Sequence, residues 1–447
     1  MERALIRETT EKVGQEVLLK GWVNTRRDHG KIVFIDLRDR TGLLQVVCSG
    51  IEGAKELRSE WVVEIAGLVK ERPVNLINQK LATGKVEVEA KEIKVLAKAE
   101  ELPFDIGGKE LNVGLPTLLD YRSLTLRHPK VKAIFKVQEA IAEGFHLTAK
   151  NLGCTEVFPP TISASSTEGG AEVFRFNYFG HEAFMVQSPQ LYKQIMVGIF
   201  ERVYLISHIY RAEPSVTTRH LCESIQMDCE IGFADFPELV NLLGRTFAKT
   251  IDFAQKKCRE ELKFLGVEPS KVEGEIPHLT MRETQQIIFD RTKTDHRQEK
   301  DLMPEDEKEI ASWALEKYDS DLIVITHFPT RKRAFYTMPD PKDPQYSLSY
   351  DLLYKGLEIS SGSQRVHDLV QLTAILKERD LNPDNFEMYL QAFTYGMPPH
   401  GGFSYGLERS TMKLLNLDNI RQASLFPRDI ERIDIRLPKK ENDKIKE

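Results

Sequence analysis

The chain has 447 residues, with 62 Lys and Arg against 68 Asp and Glu and a formal net charge of −6. That length supports two to three domains with ample core, and the acidic balance excludes a globally basic nucleic-acid binder while leaving room for one local cationic patch. Apolar residues at 41% and charged ones at 29% are those of a globular protein; no run reaches the roughly 18 apolar residues of a membrane span, and charges fill the start where a signal peptide would be apolar, so a cytoplasmic, membrane-free protein is expected.

Five strand-like runs open the chain, at 16–23, 31–38, 43–48, 61–70 and 86–96, with turn-prone residues at 28–30 and 39–42 between them. In the second run Val33, Ile35 and Leu37 form one face and Phe34, Asp36 and Arg38 the other; in the third, Leu44 and Val46 oppose Leu43, Gln45 and Val47. A face with an aromatic, an amide and an arginine suits a stacked, hydrogen-bonded base, or it is an ordinary solvated sheet face. The apolar positions 86, 88 and 90 change parity to 93 and 95, which predicts a bulge. Five short strands in about a hundred residues fit a small closed barrel, with the OB-fold leading.

The expected division is a barrel at 1–102, a Pro- and Gly-containing linker at 103–128 and a second domain at 129–447. That domain opens with an amphipathic helix at 129–152, in which Val131, Ile134, Phe135, Ile141 and Phe145 recur at helical spacing and Gly153 stands at the C′ position. Strand candidates at 183–186, 203–210, 224–233, 322–327, 346–354 and 356–361 then alternate with helices, without a βαβ rhythm. The residues from 437 onward are mostly charged.

Five cysteines, an odd number without a C-x-x-C pair, argue against a disulfide framework or a zinc knuckle. P-loop, Rossmann, H-E-x-x-H and G-x-S-x-G patterns do not occur. Three polar clusters sit in or beside strand-like runs, where polar groups are costly without a purpose. In the first, Arg211 and Glu213 are followed by Arg219 and His220; two arginines and a histidine around a turn can grip a polyphosphate. In the second, Asp351 and Glu358 precede Ser360-Ser361-Gly362-Ser363-Gln364-Arg365, offering hard oxygen ligands for magnesium held against phosphates. The third, 401–409, reads as a glycine-rich turn leading into a helix, with Arg409 able to stack on a base.

In this order the clusters resemble the class II aminoacyl-tRNA synthetases, and within them the aspartyl-tRNA synthetases, over nearly the whole chain. Pro160 resembles the motif 1 proline at the dimer interface, 210–233 (Y-R-A-E-P-S-V-T-T-R-H-L…D-C-E-I-G-F) resembles motif 2, and Gly401 to Arg409 resembles motif 3. T-E-G-G-A from Thr167, Q-S-P-Q-L-Y-K-Q from Gln187 and G-L-E-I-S-S-G-S-Q-R-V-H from Gly356 resemble signatures of the aspartate subgroup. The front barrel would then be the anticodon-binding domain, and the fold class an α+β protein in which an OB-fold precedes an antiparallel sheet flanked by helices. Only 235–343 separates the motif 2 region from the second cluster, as in the compact archaeal and eukaryotic-type architecture. Ser224 departs from relatives that carry a phenylalanine there to stack on adenine.

The resemblance implies ATP-dependent activation of L-aspartate and transfer to tRNA-Asp by a magnesium-dependent homodimer. It implies Arg211 on the α-phosphate and attacking carboxylate, Arg219 and His220 on the distal phosphates, and Glu358 and Ser361 with Asp351 nearby for Mg2+. Arg409 would stack on adenine, with Ala212, Glu213, Leu221, Gly406, Leu407 and Glu408 in the ATP-binding segments. Aspartate would meet Glu168, Gln190, Leu191, Tyr192, Lys193, Arg211, Ser361 and Arg365, and the anticodon Arg27, His29, Phe34 and Gln45. A histidine in the 28–30 turn resembles forms that also charge tRNA-Asn, so a non-discriminating enzyme is expected; the alternative is a solvated turn residue. Competing readings are an amide-forming asparagine synthetase on the same core, a binding module without catalysis, and an asparaginyl-tRNA synthetase.

Overall fold

The computed structural model describes residues 1–164 and 172–438. The chain forms two compact units, Met1–Val113 and Gly114–Glu447.

The first unit is a closed barrel of β1 (Glu16–Asp28), β2 (Ile32–Asp39), β3 (Gly42–Ser49), β4 (Val62–Glu71) and β5 (Val86–Ala97), in the order β1-β2-β3-β5-β4. Its core follows from alternation. Val33, Ile35, Leu37, Leu44, Val46 and Cys48 are buried, while Phe34, Asp36 and Gln45 face outward. The parity change in β5 is a bulge: Ala66 pairs with Glu92 and Gly67 with Ala90, leaving Lys91 over. β1 runs on to Asp28, beyond its apolar alternation, because Thr25, Arg26 and Arg27 pair with Asp36, Ile35 and Phe34 of β2.

The second unit begins within the stretch expected as a linker. Its helices α1 (Leu115–Asp120) and α2 (Arg122–Thr125) precede α3 (Pro129–Asn151). Arg122 is buried, donates to the carbonyls of Ser424 and Leu425 at 2.7 and 2.8 Å, and lies over the Phe135 ring, which ties this stretch to the unit. α3 ends as expected, with Gly153 at φ 78°.

The remaining elements are β6 (Thr155–Glu156), β7 (Ile162–Ser163), β8 (Arg175–Tyr178), β9 (His181–Met185), α4 (Gln190–Phe200), β10 (Arg202–Tyr210), β11 (Glu223–Gly232), α5 (Phe236–Lys257), α6 (Arg259–Leu265), β12 (His278–Thr280), α7 (Met281–Thr292), α8 (Pro304–Tyr318), β13 (Leu322–Thr326), β14 (Ser349–Tyr354), β15 (Glu358–Gln364), α9 (Leu369–Glu378), α10 (Glu387–Thr394), β16 (His400–Gly406) and α11 (Leu407–Leu414). Among the described residues the main sheet has the order β12-β13-β14-β15-β16-β11-β10-β6. Its inner strands run antiparallel, as expected; β12 and β6 add parallel edges, so the sheet is mixed.

Residues 401–406 are a central strand rather than a glycine-rich turn. Gly401, Gly402 and Gly406 have no left-handed φ. The first two serve close packing: a Cβ on Gly402 would lie 2.1 Å from the Glu230 carboxylate, and one on Gly401 2.3 Å from Leu239.

One face of the sheet packs on α3 and α5. Met227, Cys229 and Ile231 of β11, Tyr350, Leu352 and Tyr354 of β14, and Phe403 and Tyr405 of β16 join Val137, Ile141 and Phe145 of α3 and Leu243, Phe247 and Ile251 of α5 in one core. The apolar stripe of α3 is therefore used within its own chain. Beyond β6 the chain leaves Phe158 86% exposed, with Phe179 at 88% and Phe233 at 69%.

Candidate active site

The opposite face of the sheet is polar and floors a cleft. Alternation along β11 sends Gln226, Asp228 and Glu230 to this face, and β16 brings Ser404 beside them. On β15 the spacing of Glu358 and Ser361 would put them on opposite faces of a regular strand. A bulge reverses this: Leu352 pairs with Ser360 but Leu353 with Glu358, so Glu358 and Ser361 share the cleft face with Asp351.

At one end lies a buried charge cluster. Lys193 Nζ donates to Asp228 Oδ1 at 2.8 Å and lies 3.2 Å from Glu230 Oε2. Arg365 donates to Glu230 through Nε at 2.8 Å, to Ser363 Oγ at 2.6 Å and to Gln190 Oε1 at 3.3 Å. Burial raises the Asp228 carboxyl against the pull of Lys193. Burial also acts on Glu230, but Arg365 and Lys193 outweigh it and hold that carboxyl at about 2. Lys193 is thus already neutralised. Asparagine would therefore not be rejected here by leaving a bare lysine.

At the other end Arg211, Arg219, His220, Glu358, Ser361 and Arg409 line the cleft together. Arg409 Nη1 donates to the Glu358 carbonyl at 2.9 Å. His220 is held at about 4 by burial and by Arg409, Arg219 and Arg211, so it is neutral at pH 7. Its Nδ1 lies 2.8 Å from Thr217 Oγ1. Glu408 also lines the cleft, but its carboxylate receives the Ile225 backbone N–H at 3.1 Å and burial raises it to about 7.

Gln190, Leu221, Glu213, Gly406 and the departure Ser224 line the cleft as well. Leu191 and Leu407 lie in apolar cores instead, and Tyr192, Ala212 and Asp351 do not line it. Asp351 is forked by Arg333, Nη1 to Oδ1 at 3.0 Å and Nη2 to Oδ2 at 2.6 Å, and Arg333 also donates to Ser361 Oγ at 2.9 Å. Glu168 lies outside the described residues.

Asp228, Glu230 and Arg333 are site residues not expected from the sequence. The first two were findable: two acids alternating with Met227, Cys229 and Ile231 in a strand buried on one face need a purpose or partners. Arg333 sits in an irregular segment and carried no such signal.

Among the described residues no group of three His, Cys, Asp or Glu could hold a metal. Both Asp351 oxygens are engaged by Arg333. Glu358 and Ser361 remain as oxygen donors on the cleft, and a serine hydroxyl that accepts from Arg333 keeps a second lone pair. Two protein oxygens suit Mg2+, which takes few protein ligands and completes its shell with phosphates and water.

On the barrel, Arg27 Nη2 donates to Asp36 Oδ1 at 3.0 Å and Gln45 Oε1 at 3.2 Å. Phe34 and His29 meet edge to face, with ring centroids 5.6 Å apart. The four expected anticodon residues thus form two contacting pairs on the barrel.

The model of class II tRNA synthetases (D, K and N) matches residues 115–430, and that of the OB-fold nucleic acid binding domain matches 17–96. The chain is 41% identical to the aspartate–tRNA(Asp/Asn) ligase of Thermus thermophilus, over 96% of this chain and 99% of that one. It is 38% identical to the aspartate–tRNA(Asp) ligase of Pyrococcus horikoshii, over 95% and 98%. Among solved structures it is similar to asparaginyl-tRNA synthetase from Pyrococcus horikoshii complexed with asparaginyl-adenylate, with a TM-score of 0.88, 30% identity, and coverage of 97% and 99%. It is also similar to the aspartyl-tRNA synthetase from Entamoeba histolytica, with a TM-score of 0.84, 28% identity, and coverage of 97% and 93%. The chain belongs to the class II tRNA synthetases, and within that class to the aspartate–tRNA ligases. No helix among the described residues is long and apolar enough to cross a membrane.

Proposed function

We propose that the cleft activates L-aspartate with ATP and passes it to tRNA-Asp and also to tRNA-Asn. The observation that carries this is the two-ended cleft: a buried Lys193/Arg365 cluster at one end, three arginines with Glu358 and Ser361 at the other. In the first step the aspartate α-carboxylate oxygen bonds to the α-phosphorus of ATP and pyrophosphate leaves. In the second a ribose hydroxyl of tRNA bonds to the activated carbonyl carbon and AMP leaves. Neither step needs a protein nucleophile, so catalysis is positioning and charge stabilisation.

Arg211 would hold the α-phosphate and the attacking carboxylate. Arg219 would hold the distal phosphates, with His220 as a neutral hydrogen-bonding partner in the free enzyme. Arg409 would stack on adenine. Glu358 and Ser361 would hold Mg2+, which when bound neutralises phosphate charge; Asp351 keeps Arg333 in place beside them. Lys193 and Arg365 offer N–H donors and no acceptor, which suits the substrate's side-chain carboxylate. The likeness to asparaginyl-tRNA synthetases keeps asparagine as the second reading.

We infer further that the protein acts in the cytoplasm as a homodimer, in which a symmetric partner covers the exposed Phe158 just beyond β6. A monomeric mass in sedimentation, with full activity, would refute the dimer. The function is tested by charging separately purified tRNA-Asp and tRNA-Asn transcripts with aspartate, asparagine and lysine. Aspartate alone should be activated; equal activation of asparagine would overturn the assignment.

A further inference from the structure

Helix α8 lies between β12 and β13 in sequence, outside all three polar clusters, yet its first turn reaches the phosphate end of the cleft. Glu307 Oε2 accepts from Arg219 Nη1 at 3.1 Å. The two side chains differ in setting: Glu307 is 11% exposed and does not line the cleft, whereas Arg219 is 31% exposed and does. The carboxylate therefore grips the guanidinium from the protein side, through one of its nitrogens. The same carboxylate faces the backbone N–H of Glu358. Arg409 makes a parallel link, donating to the backbone carbonyls of Glu358 at 2.9 Å and of Arg219 at 3.4 Å. Glu307 and Arg409 thus join the arginine-bearing loop to the strand that carries Glu358.

The seat of Glu307 is fixed. Its neighbour Asp306 accepts the Met303 backbone N–H at 3.0 Å and meets His296 Nδ1 at 2.9 Å, which pins the start of α8. Gly356, at φ 72°, lets the β14–β15 turn pack on the helix; a Cβ there would lie 3.1 Å from Lys308 Cα. Arg219 stands outside any helix or strand; its backbone is held by Thr217 Oγ1 at 3.2 Å and by Arg409 at 3.4 Å, and its guanidinium by Glu307. A free arginine side chain loses rotamer entropy when it is ordered. One already held by a buried carboxylate has met part of that cost before the ligand arrives.

We propose that Glu307 is a positioning residue for ATP, holding Arg219 from outside the cleft so that its remaining N–H groups face the distal phosphates. This rests on the reading of Arg219 as a phosphate ligand. The test is aspartate-dependent ATP–pyrophosphate exchange by the full-length enzyme carrying Glu307→Gln, Arg219→Ala or both, with Glu307→Asp as a second variant should the glutamine form fail to fold. Glu307→Gln should raise KM for ATP about ten-fold or more, the scale of one charge-assisted hydrogen bond, with KM for aspartate within about two-fold of wild type. In the Arg219→Ala background it should add nothing. If Arg219→Ala raises KM for ATP and Glu307→Gln does not, Glu307 has no such role. The same conclusion follows if the two effects multiply, or if both KM values rise together. If Arg219→Ala itself leaves KM for ATP unchanged, the reading of Arg219 fails first and the proposal with it.

Discussion

Lys193 Nζ lies 2.8 Å from Asp228 Oδ1 with each side chain only 1% exposed, so the cation expected to await a substrate carboxylate is already half of a buried ion pair. Breaking such a pair from one side leaves an unmatched charge, which costs ~3–5 kcal/mol. Lys193→Leu should therefore lower Tm and also reduce aspartate activation by about two orders of magnitude. Adding Asp228→Asn removes an unmatched carboxylate and should restore part of the Tm without restoring activation. Recovery of both together in melting and pyrophosphate-exchange assays would make Lys193 a structural residue only.

Glu358 reaches the cleft face because of the bulge in β15, and Arg409 fixes its backbone carbonyl. Glu358→Gln keeps the shape and removes the charge. Adenylate formation should fall by about two orders of magnitude, while tRNA affinity in filter binding stays within about two-fold. A parallel loss of both would place the residue in the scaffold.

Edge-to-face contact couples His29 to Phe34 on the barrel. The last anticodon base separates tRNA-Asp from tRNA-Asn by an amino donor against a carbonyl acceptor, so one nearby contact can decide between them. The kcat/KM values for the two transcripts should lie close together, and His29→Leu should move the ratio toward tRNA-Asp. A ratio above about a hundred-fold in the unaltered enzyme, ~2.7 kcal/mol, would defeat this reading.

His400 is fully buried behind the charge cluster. Its Nδ1 is 2.8 Å from the Pro398 carbonyl and its Nε2 is 2.9 Å from Gln194 Nε2, so a neutral ring with its proton on Nδ1 satisfies both. Burial holds this imidazole at about 4, with Glu230 opposing and Arg365 assisting. The folded value lies below the unfolded one of about 6.5, so the unfolded chain binds the extra proton. The contribution of His400 is therefore complete above about pH 6.5 and is lost as pH falls toward 4, at up to ~1.4 kcal/mol per pH unit. Between pH 7 and pH 5 the Tm of the wild type should drop more than that of His400→Gln; equal drops would assign the acid sensitivity elsewhere.

The barrel could be read from its residues because inward and outward positions alternate through β2 and from Leu43 onward in β3, and a parity break marked the bulge at Lys91. The motif segments were legible because charged and polar residues of this kind are scarce in and beside strands: Arg211, Arg219, Glu358, Ser361 and Arg409 all reach one cleft. The glycines of 401–406 resemble a turn in one dimension, since tight packing against Glu230 and Leu239 calls for the same residue type as conformational freedom. Pairing was the other thing hidden from the chain. Lys193 with Asp228, Asp351 with Arg333 and Arg219 with Glu307 join residues 35, 18 and 88 positions apart, and each changes the charge its partner presents to the cleft. The sequence by itself determined which groups could do the chemistry, because residue type sets charge and hydrogen-bonding capacity. Only the tertiary structure decided which of them were already neutralised and which remained open to a ligand, because in a low-dielectric interior the nearest opposite charge governs.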